Sequence, residues 1–320
     1  MFLPINMDDT PLVTVIQLSY NDEQYVAESL QSIFSQTYHP LQIVISDDGS
    51  TDGSISIVER LVSNYSGPHR VVLHRNDKNL GLGDNVSKAM ELAEGELIIE
   101  SDGDDISFSS RVSDTVQAWL ASGRKHLVMC GKSLIINERG EPAGVLPRLK
   151  PVTIGEVLQS SGELWVQGAS LSWHRSVFEI FGPLREGVVA QDRAIGFRSL
   201  LLGQQIGYIE KPVIRYRAHS ASLTNDRTTQ ERLADKAAML DGFVRDFEKA
   251  RSLGYLDGME KVDQLYKQFT DVSADFSLRE KVFFSGLAKS IFTLLTCGNE
   301  VPYGYRRSLL VKRILGQYRK

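Results

Sequence analysis

The chain has 320 residues, of which 42% are hydrophobic and 24% charged, and its formal net charge is −4. This composition is ordinary for a globular protein, and the negative charge argues against nucleic-acid binding by the chain as a whole. The length allows one large α/β domain with an additional region. Cys130 and Cys297 lie far apart in the sequence, without metal-ligand spacing or a disulfide framework, which favours a reducing cytoplasm.

No targeting segment or membrane span is predicted. Residues 1–10 lack the basic region followed by an apolar run that would indicate a signal peptide. No stretch of about 18 apolar residues occurs anywhere in the chain. We therefore expect a cytoplasmic protein without a transmembrane helix.

The first hundred residues alternate between strand and helix patterns. Helices are predicted from a cap at Asn21 or Asp22, from about residue 54 to 62, and from 85 to 93. Short apolar runs that predict buried strands lie at residues 13–18, 41–45, 71–74 and 96–100. Repeated units of this length predict an α/β fold with a mostly parallel central sheet flanked by helices.

The pattern becomes helical from about residue 228, and we place a domain boundary near Asp226. The predicted organisation is a catalytic domain over residues 1–226 and a helical C-terminal region over 227–320. For that second region, membrane association and homo-oligomerisation are both left open.

Polar clusters follow three of the predicted strands: Ser19-Tyr20-Asn21, Asp47-Asp48 and Asp102 to Asp105. In parallel sheets of this kind, ligands bind at the carboxyl ends of the strands. Sequence position alone therefore brings several carboxylates towards one crevice.

Asp102-Gly103-Asp104 places two carboxylates on either side of one small residue. Oxygen ligands of this kind suit Mg²⁺ or Mn²⁺, which also bind phosphate oxygens of a substrate. An isolated Asp-x-Asp is nevertheless more often only a polar turn. Asp48 has two interpretations as well: a turn or helix cap, or a carboxylate that accepts hydrogen bonds from a nucleobase or a ribose. The glycine loop from Gly81 to Gly83 indicates a turn into a helix.

The order of these segments resembles the opening of the family-two glycosyltransferases, including those that build bacterial surface polysaccharides. The close resemblance covers residues 12–105, and a looser one extends to about residue 224. The segments that carry it are Val13–Ile16 with Ser19–Asn21, Ser32–Tyr38, Asp47–Asp52, Asn79–Leu82, Glu94–Glu96 and Asp102–Asp105.

The resemblance implies the GT-A nucleotide-sugar-binding fold and a divalent metal, Mn²⁺ or Mg²⁺. It places Ser19 and Tyr20 at the nucleotide, with the tyrosine ring near the base, although packing of that ring on the core is an equal alternative. Asp48 would then contact the base edge. Asp102 would lie against the ribose or a metal-bound water, and Asp104 would bind the metal.

Two downstream segments resemble further parts of the family. Asp192 matches the catalytic base of inverting members, although the glutamate that often precedes that aspartate is replaced here by Gln191; a helix N-cap is the alternative role for Asp192. His219 ends a Tyr-Arg-x-His sequence and would bind the metal or contact the diphosphate. Trp165 or Trp173 could stack on an acceptor, although core packing is the more common role of a tryptophan.

The predicted function is inverting transfer of a sugar from a nucleotide-diphosphate sugar, with a UDP-sugar favoured, to an acceptor hydroxyl. The acceptor would be a saccharide or lipid-linked saccharide in polysaccharide or glycolipid synthesis. One alternative is a sugar-nucleotide nucleotidyltransferase, but residues 19–22 lack the glycine-rich basic loop such an enzyme needs after its first strand. The other alternative is a non-catalytic scaffold that binds sugar nucleotides.

The segment from Arg306 to Lys320 contains six basic residues and no acidic one. On a helix its apolar side chains would gather on one side and most of its basic ones on the other. This pattern predicts peripheral contact with an anionic membrane on the cytoplasmic face. A helix packed on the catalytic domain is the alternative.

Overall fold

The computed structural model describes residues 10–160, 162–219 and 229–258, together with nine residues between 264 and 275. The chain divides into two compact units. The first contains the chain up to Thr153 and Leu164–His219, and the second contains Ile154–Glu163 and the chain beyond His219. Residues 154–163, which the predicted organisation placed in the first domain, thus group with the second unit. The predicted boundary at Asp226 lies outside the described residues.

The first unit is built on a sheet whose opening half is parallel. Its four strands lie in the order β3-β2-β1-β4, with every neighbouring pair parallel. They are β1 (Val13–Ser19), β2 (Leu41–Asp47), β3 (Arg70–Arg75) and β4 (Leu97–Asp102). All residues of β1 and β2 are buried, as the apolar runs predicted. The predicted α/β fold is confirmed, and each strand ends one or two residues later than expected.

Four helices belong to this part of the chain: α1 (Val26–Phe34), α2 (Ser54–Ser63), α3 (Leu82–Leu92) and α4 (Arg111–Ala121). The predicted cap of α1 at Asn21 or Asp22 is wrong, because the helix begins at Val26 with Tyr25 as its N-cap. Asn21 has a φ of 56°, outside the helical range, and the Asp22 carboxylate accepts a hydrogen bond from the Tyr20 N–H at 3.0 Å. Residues 20–25 therefore form a turn in which Asp22 organises the end of β1.

The second half of the sheet is mixed, so "mostly parallel" describes only the first half. From β4 the order continues β8-β6-β9-β5, with β7 paired to β6. The β4–β8, β8–β6, β6–β7 and β9–β5 pairs are antiparallel, whereas β6 and β9 are parallel. These strands are β5 (Ile106–Ser107), β6 (Val128–Ile136), β7 (Pro142–Val145), β8 (Ser172–His174) and β9 (Gly207–Arg217). This arrangement brings the end of β9 to the loop that follows β4.

Two further helices of the first unit are α6 (Ser176–Phe181) and α7 (Gln191–Leu201), preceded by a 3₁₀ turn at Gly168–Ser170. The second unit contains α5 (Ile154–Gln159) and α8 (Thr229–Ser252). In that unit Leu240, Phe243 and Phe247 of α8 are buried together with Phe269. Across the part of the chain that the structure describes, no helix combines the length and apolar character needed to cross a bilayer.

Candidate active site

The carboxyl ends of β1, β2 and β4 meet at one edge of the sheet. Ser19 pairs with Asp47 of β2, and Leu18 pairs with Asp102 of β4. Ser19 is buried, and its carbonyl accepts a hydrogen bond from the Asp48 N–H at 2.8 Å. The Tyr20 side chain is 42% exposed, so its ring is not part of the core and is free to face a ligand.

Asp48 holds the glycine loop. Its Oδ1 accepts hydrogen bonds from the backbone N–H of Leu80 and from Asn76 Nδ2, both at 2.9 Å. Its Oδ2 accepts one from the Gly81 N–H at 2.9 Å. Gly81 has a φ of 91°, in the left-handed region that favours glycine, and α3 begins at the next residue. The buried Asp48 carboxylate is therefore engaged inside the protein, which supports a positioning role beside the nucleotide role that the resemblance implies.

Asp22 lies directly against the Asp-x-Asp segment. A Cβ atom at Gly103 would lie 2.1 Å from the Asp22 Oδ2 atom, so a larger residue at that position would displace the Asp22 side chain. The Asp22 carboxylate therefore packs on the backbone between Asp102 and Asp104. Sequence reasoning assigned Asp22 only to a helix cap. Its position three residues beyond the end of β1 was the available signal.

His219 and Asp104 are brought together across the sheet from distant parts of the sequence. His219 Nε2 lies 2.8 Å from Asp104 Oδ2. Arg217, two residues earlier, donates a hydrogen bond from Nε to the Asp104 carbonyl at 2.9 Å, and its backbone N–H donates to Asp105 Oδ1 at 2.8 Å. The end of β9 thus fixes the loop that follows β4.

Burial and, after it, repulsion between neighbouring carboxylates raise the pKa values of two aspartates at this edge. Burial, followed by the charge of Asp104, raises the pKa of Asp22 to about 7. Burial, followed by the charges of Asp104 and Asp22, also raises the pKa of Asp102 to about 7. The buried Arg111 guanidinium offsets part of the negative charge, although burial lowers its own pKa to about 10. A cation at this edge would relieve the repulsion.

The side chains at this edge could bind a divalent metal. Two potential ligand atoms, Oδ2 of Asp104 and Nε2 of His219, lie 2.8 Å apart. In the described residues no group of three or more His, Cys, Asp or Glu side chains surrounds a common metal position. This donor set suits a cation such as Mg²⁺ or Mn²⁺, which commonly binds one or two side chains and completes its shell with substrate phosphates and water.

Asp192 reaches the same region from the first turn of α7. A Cβ atom at Gly168 would lie 3.5 Å from Asp192 Oδ2, so the carboxylate packs against the 3₁₀ turn. Asp192 Oδ1 accepts a hydrogen bond from the Arg193 N–H at 2.7 Å. Burial raises the pKa of the Asp192 carboxyl. Asp192 directly follows Gln191, whose amide is hydrogen-bonded to Glu100 of β4, so the first turn of α7 lies against the strand that leads into Asp102.

Gln191 touches the buried glutamate of β4. Its Nε2 donates a hydrogen bond to Glu100 Oε1 at 2.7 Å, while Glu100 Oε2 is buried without a hydrogen-bond partner. Arg111 Nη2 donates to the Glu100 carbonyl at 2.6 Å. Glu100 and Arg111 were not predicted from the sequence, because a single charged residue in an apolar strand and an arginine at a helix start carry no pattern of their own.

The two tryptophans considered for acceptor stacking differ in environment. Trp173 is fully buried in β8, where it packs in the core, so its proposed role as a stacking surface is wrong. Trp165 is 44% exposed and lies three residues before Gly168. Only Trp165 is therefore available to a ligand.

Residues 14–142 match the sequence profile of Glycosyl transferase family 2. Among curated relatives, a putative glycosyltransferase EpsE of Bacillus subtilis is 36% identical over 142 residues, which are 44% of this chain and 50% of that protein. A putative glycosyltransferase EpsH of the same organism is 26% identical over 226 residues, which are 67% of this chain and 63% of that protein. The chain thus spans half to two thirds of these relatives' lengths.

Solved structures share the fold. The S. aureus TarS 1-349 structure in complex with UDP-GlcNAc has a TM-score of 0.54 at 18% identity, covering 95% of this chain and 92% of that one. The mannosyltransferase PcManGT of Pyrobaculum calidifontis, in complex with GDP-Man and Mn²⁺, has a TM-score of 0.50 at 18% identity, covering 96% and 88%. The fold is therefore that of the GT-A glycosyltransferases, as predicted.

Proposed function

We propose that this protein is an inverting glycosyltransferase that uses a nucleotide-diphosphate sugar, because residues 14–142 match glycosyltransferase family 2. The observation that carries the proposal is that the Asp104–His219 pair and the first turn of α7, which contains Asp192, both lie beside β4. Asp104 and His219 lie together and would serve as metal ligands. Asp192 lies in the first turn of α7, which the Gln191–Glu100 hydrogen bond holds against the same strand.

The proposed reaction is a single in-line displacement. Asp192 takes the proton of the acceptor hydroxyl as its oxygen forms a bond to the anomeric carbon. The bond from that carbon to the diphosphate oxygen breaks on the opposite side, so the configuration inverts. Asp104 and His219 would hold a divalent metal, which supplies charge stabilisation for the departing nucleoside diphosphate when bound. Ser19, Tyr20, Asp48 and Asp102 would line the nucleotide site.

The fold and two solved structures that share it support a nucleotide-sugar donor. TarS and PcManGT were solved with UDP-GlcNAc and GDP-Man, respectively. We favour a UDP-sugar as the donor here, and a saccharide or lipid-linked saccharide as the acceptor. Synthesis of a polysaccharide or glycolipid is the corresponding role. A cytoplasmic location and contact of residues 306–320 with an anionic membrane surface complete the proposal; that segment lies outside the described residues.

Two alternatives receive less support. A nucleotidyltransferase would need a glycine-rich basic loop after β1, where this chain has Tyr20-Asn21-Asp22 with the Asp22 carboxylate turned onto Gly103. A scaffold that only binds sugar nucleotides would not require an aspartate at the position that the resemblance assigns to the catalytic base, yet Asp192 is present there beside the Gln191–Glu100 contact.

The experiment is a panel of UDP-, GDP- and dTDP-sugars incubated with the full chain and Mn²⁺, with release of nucleoside diphosphate as the readout. We expect turnover of at least one donor and loss of turnover in excess chelator. Binding of UDP with Mn²⁺ but no turnover of any donor, with or without saccharide acceptors, would instead support the scaffold. Release of pyrophosphate from a nucleoside triphosphate and a sugar phosphate would support the nucleotidyltransferase.

A further inference from the structure

Glu100 is an uncommon residue for its place in the fold. It lies in β4, two residues before Asp102, and its side chain is completely buried. A carboxyl group in such a position costs free energy unless it is hydrogen-bonded or neutral. Glu100 has one observed side-chain partner, the amide of Gln191, which is itself 5% exposed.

The contact joins the two elements that carry the proposed chemistry. Glu100 belongs to the strand that leads into Asp102 and Asp104. Gln191 is the first residue of α7, and Asp192 follows it directly. Because the 2.7 Å hydrogen bond fixes the first turn of α7 against β4, it also fixes how far Asp192 lies from the metal-binding end of that strand. An error of about 1 Å in such a position is enough to lower a rate by about 100-fold.

The amide at position 191 is matched to the carboxyl at position 100. The Gln191 Nε2 group is a donor, and Glu100 Oε1 is the acceptor it reaches. A carboxylate at position 191 would have no hydrogen to donate, and it would add a second acidic group to a space that already holds Glu100 and borders Asp102 and Asp192.

We infer that Glu100 and Gln191 form a positioning pair that sets the location of the base Asp192, and that the pair accommodates one carboxyl group only. The carboxyl and the amide are interchangeable between the two positions, because either arrangement keeps one donor facing one acceptor. This inference rests on the proposed function, since it assigns Asp192 the role of base.

The test is a set of three variants: Gln191→Glu, Glu100→Gln, and the exchanged double variant Glu100→Gln/Gln191→Glu. We expect Gln191→Glu to lower kcat at least about tenfold with the best donor of the panel, while the affinity for UDP with Mn²⁺ stays within about twofold. Glu100→Gln and the exchanged variant should each keep kcat within about threefold of the parent protein. A purely structural role would not produce this division between kcat and nucleotide affinity.

Gln42→Glu is the matched control. Gln42 is equally buried and lies at the opposite end of the sheet, where its amide donates to the Leu92 carbonyl at 3.0 Å. This variant should lower the unfolding midpoint without changing kcat of the folded fraction. A Gln191→Glu enzyme as active as the parent, or an exchanged variant as slow as Gln191→Glu, would overturn the inference.

The thermal unfolding of the same variants separates the inference from the proposed function. If the parent protein turns over no donor, the proposed function fails. In that case a double-mutant cycle of unfolding midpoints still shows whether positions 100 and 191 are coupled. Additive midpoints, with no recovery in the exchanged variant, would overturn the pair itself.

Discussion

His219 Nε2 lies 2.8 Å from Asp104 Oδ2, although 115 positions separate the two residues in the sequence. This is a hydrogen-bonding distance. It is also close to the separation of about 3 Å expected between two neighbouring ligands that each lie about 2.1 Å from one octahedral cation. Substitution of one member of this pair is therefore the most direct test of the proposed metal site.

We predict that His219→Gln raises the Mn²⁺ concentration required for half-maximal turnover by about tenfold or more, because one of the two protein donors is lost. Turnover of the parent protein should vanish in excess chelator and return with Mn²⁺ or Mg²⁺. Titration of Mn²⁺ at fixed donor measures both effects. The control is His126→Gln, whose ring faces the Gln205 carbonyl at the other end of the sheet. Equal Mn²⁺ requirements for both variants would remove His219 from the metal site.

Asp48→Ala should weaken UDP binding more than it lowers kcat at saturating donor. Its two hydrogen bonds to the backbone of residues 80 and 81 and its hydrogen bond to the Asn76 side chain add a second expectation, which is a loss of roughly 1–3 kcal/mol of stability. Asn76→Ala removes one of those bonds and leaves the Asp48 carboxylate in place, so it separates the two roles. The measurement is calorimetric titration with UDP in the presence of Mn²⁺. Equal losses of affinity in both variants would mean that Asp48 acts only through its hydrogen bonds within the protein.

Arg217→Lys should destabilise the first unit by about 2 kcal/mol, because a lysine ammonium cannot reproduce the planar set of bonds from a buried guanidinium. Arg217 is 2% exposed and donates to the carbonyls of Asp104 and Glu138 at 2.9 and 3.1 Å. Denaturant unfolding is the measurement. Arg215→Lys, on the exposed part of the same strand, is the control and should change stability little. A stable Arg217→Lys protein with unchanged Mn²⁺ affinity would contradict this role.

The segment from residue 303 to 320 should bind anionic vesicles. Each basic residue near an anionic leaflet contributes about 1 kcal/mol, so several together should concentrate the protein at the surface. Co-sedimentation is expected with phosphatidylserine-containing vesicles but not with phosphatidylcholine alone, and it should weaken with salt. A protein lacking residues 303–320 should stay in the supernatant. If that shortened protein sediments as well as the full chain, the segment is not the anchor.

The strands and the edge at which they meet were predictable because apolar runs and strand–helix alternation are local signals. The polar residues at the ends of β1, β2 and β4 followed from strand position alone. The pairing of Glu100 with Gln191 was not predictable from local pattern, since it depends on how distant segments meet. The proximity of Asp104 and His219 was implied only by the family resemblance, which assigned both residues to one metal. The antiparallel strand β8 beside β4 was also not predicted, because its three residues carry too little pattern to define a strand.

Asp22 shows a different limit of prediction from sequence. A carboxylate near a helix start is usually interpreted as a cap, and local sequence cannot distinguish a cap from a group that packs on a neighbouring loop. The contact with Gly103 becomes visible only when β1 and β4 are adjacent.

Asp192 also makes the pH dependence of turnover predictable. Burial raises the pKa of its carboxyl above the ordinary value of 3.8. A base must be ionised, so turnover should be full above the raised pKa and should fall as the pH drops through it. We expect the acidic limb of kcat against pH to lie above 3.8 for this reason. An acidic limb at or below the ordinary value, in a protein that remains folded, would assign it to another group.

The most direct test of the account is sugar transfer by Asp192→Asn. The amide keeps the size of the side chain but cannot take a proton, so kcat should fall by about 10²- to 10⁴-fold, while the affinity for UDP with Mn²⁺ stays within about twofold. Asp77→Asn, at an exposed position, is the matched control and should behave like the parent protein. Measured with the best donor and acceptor of the panel, near-parental kcat in Asp192→Asn would contradict the assignment of Asp192 as the base, and with it the proposed mechanism.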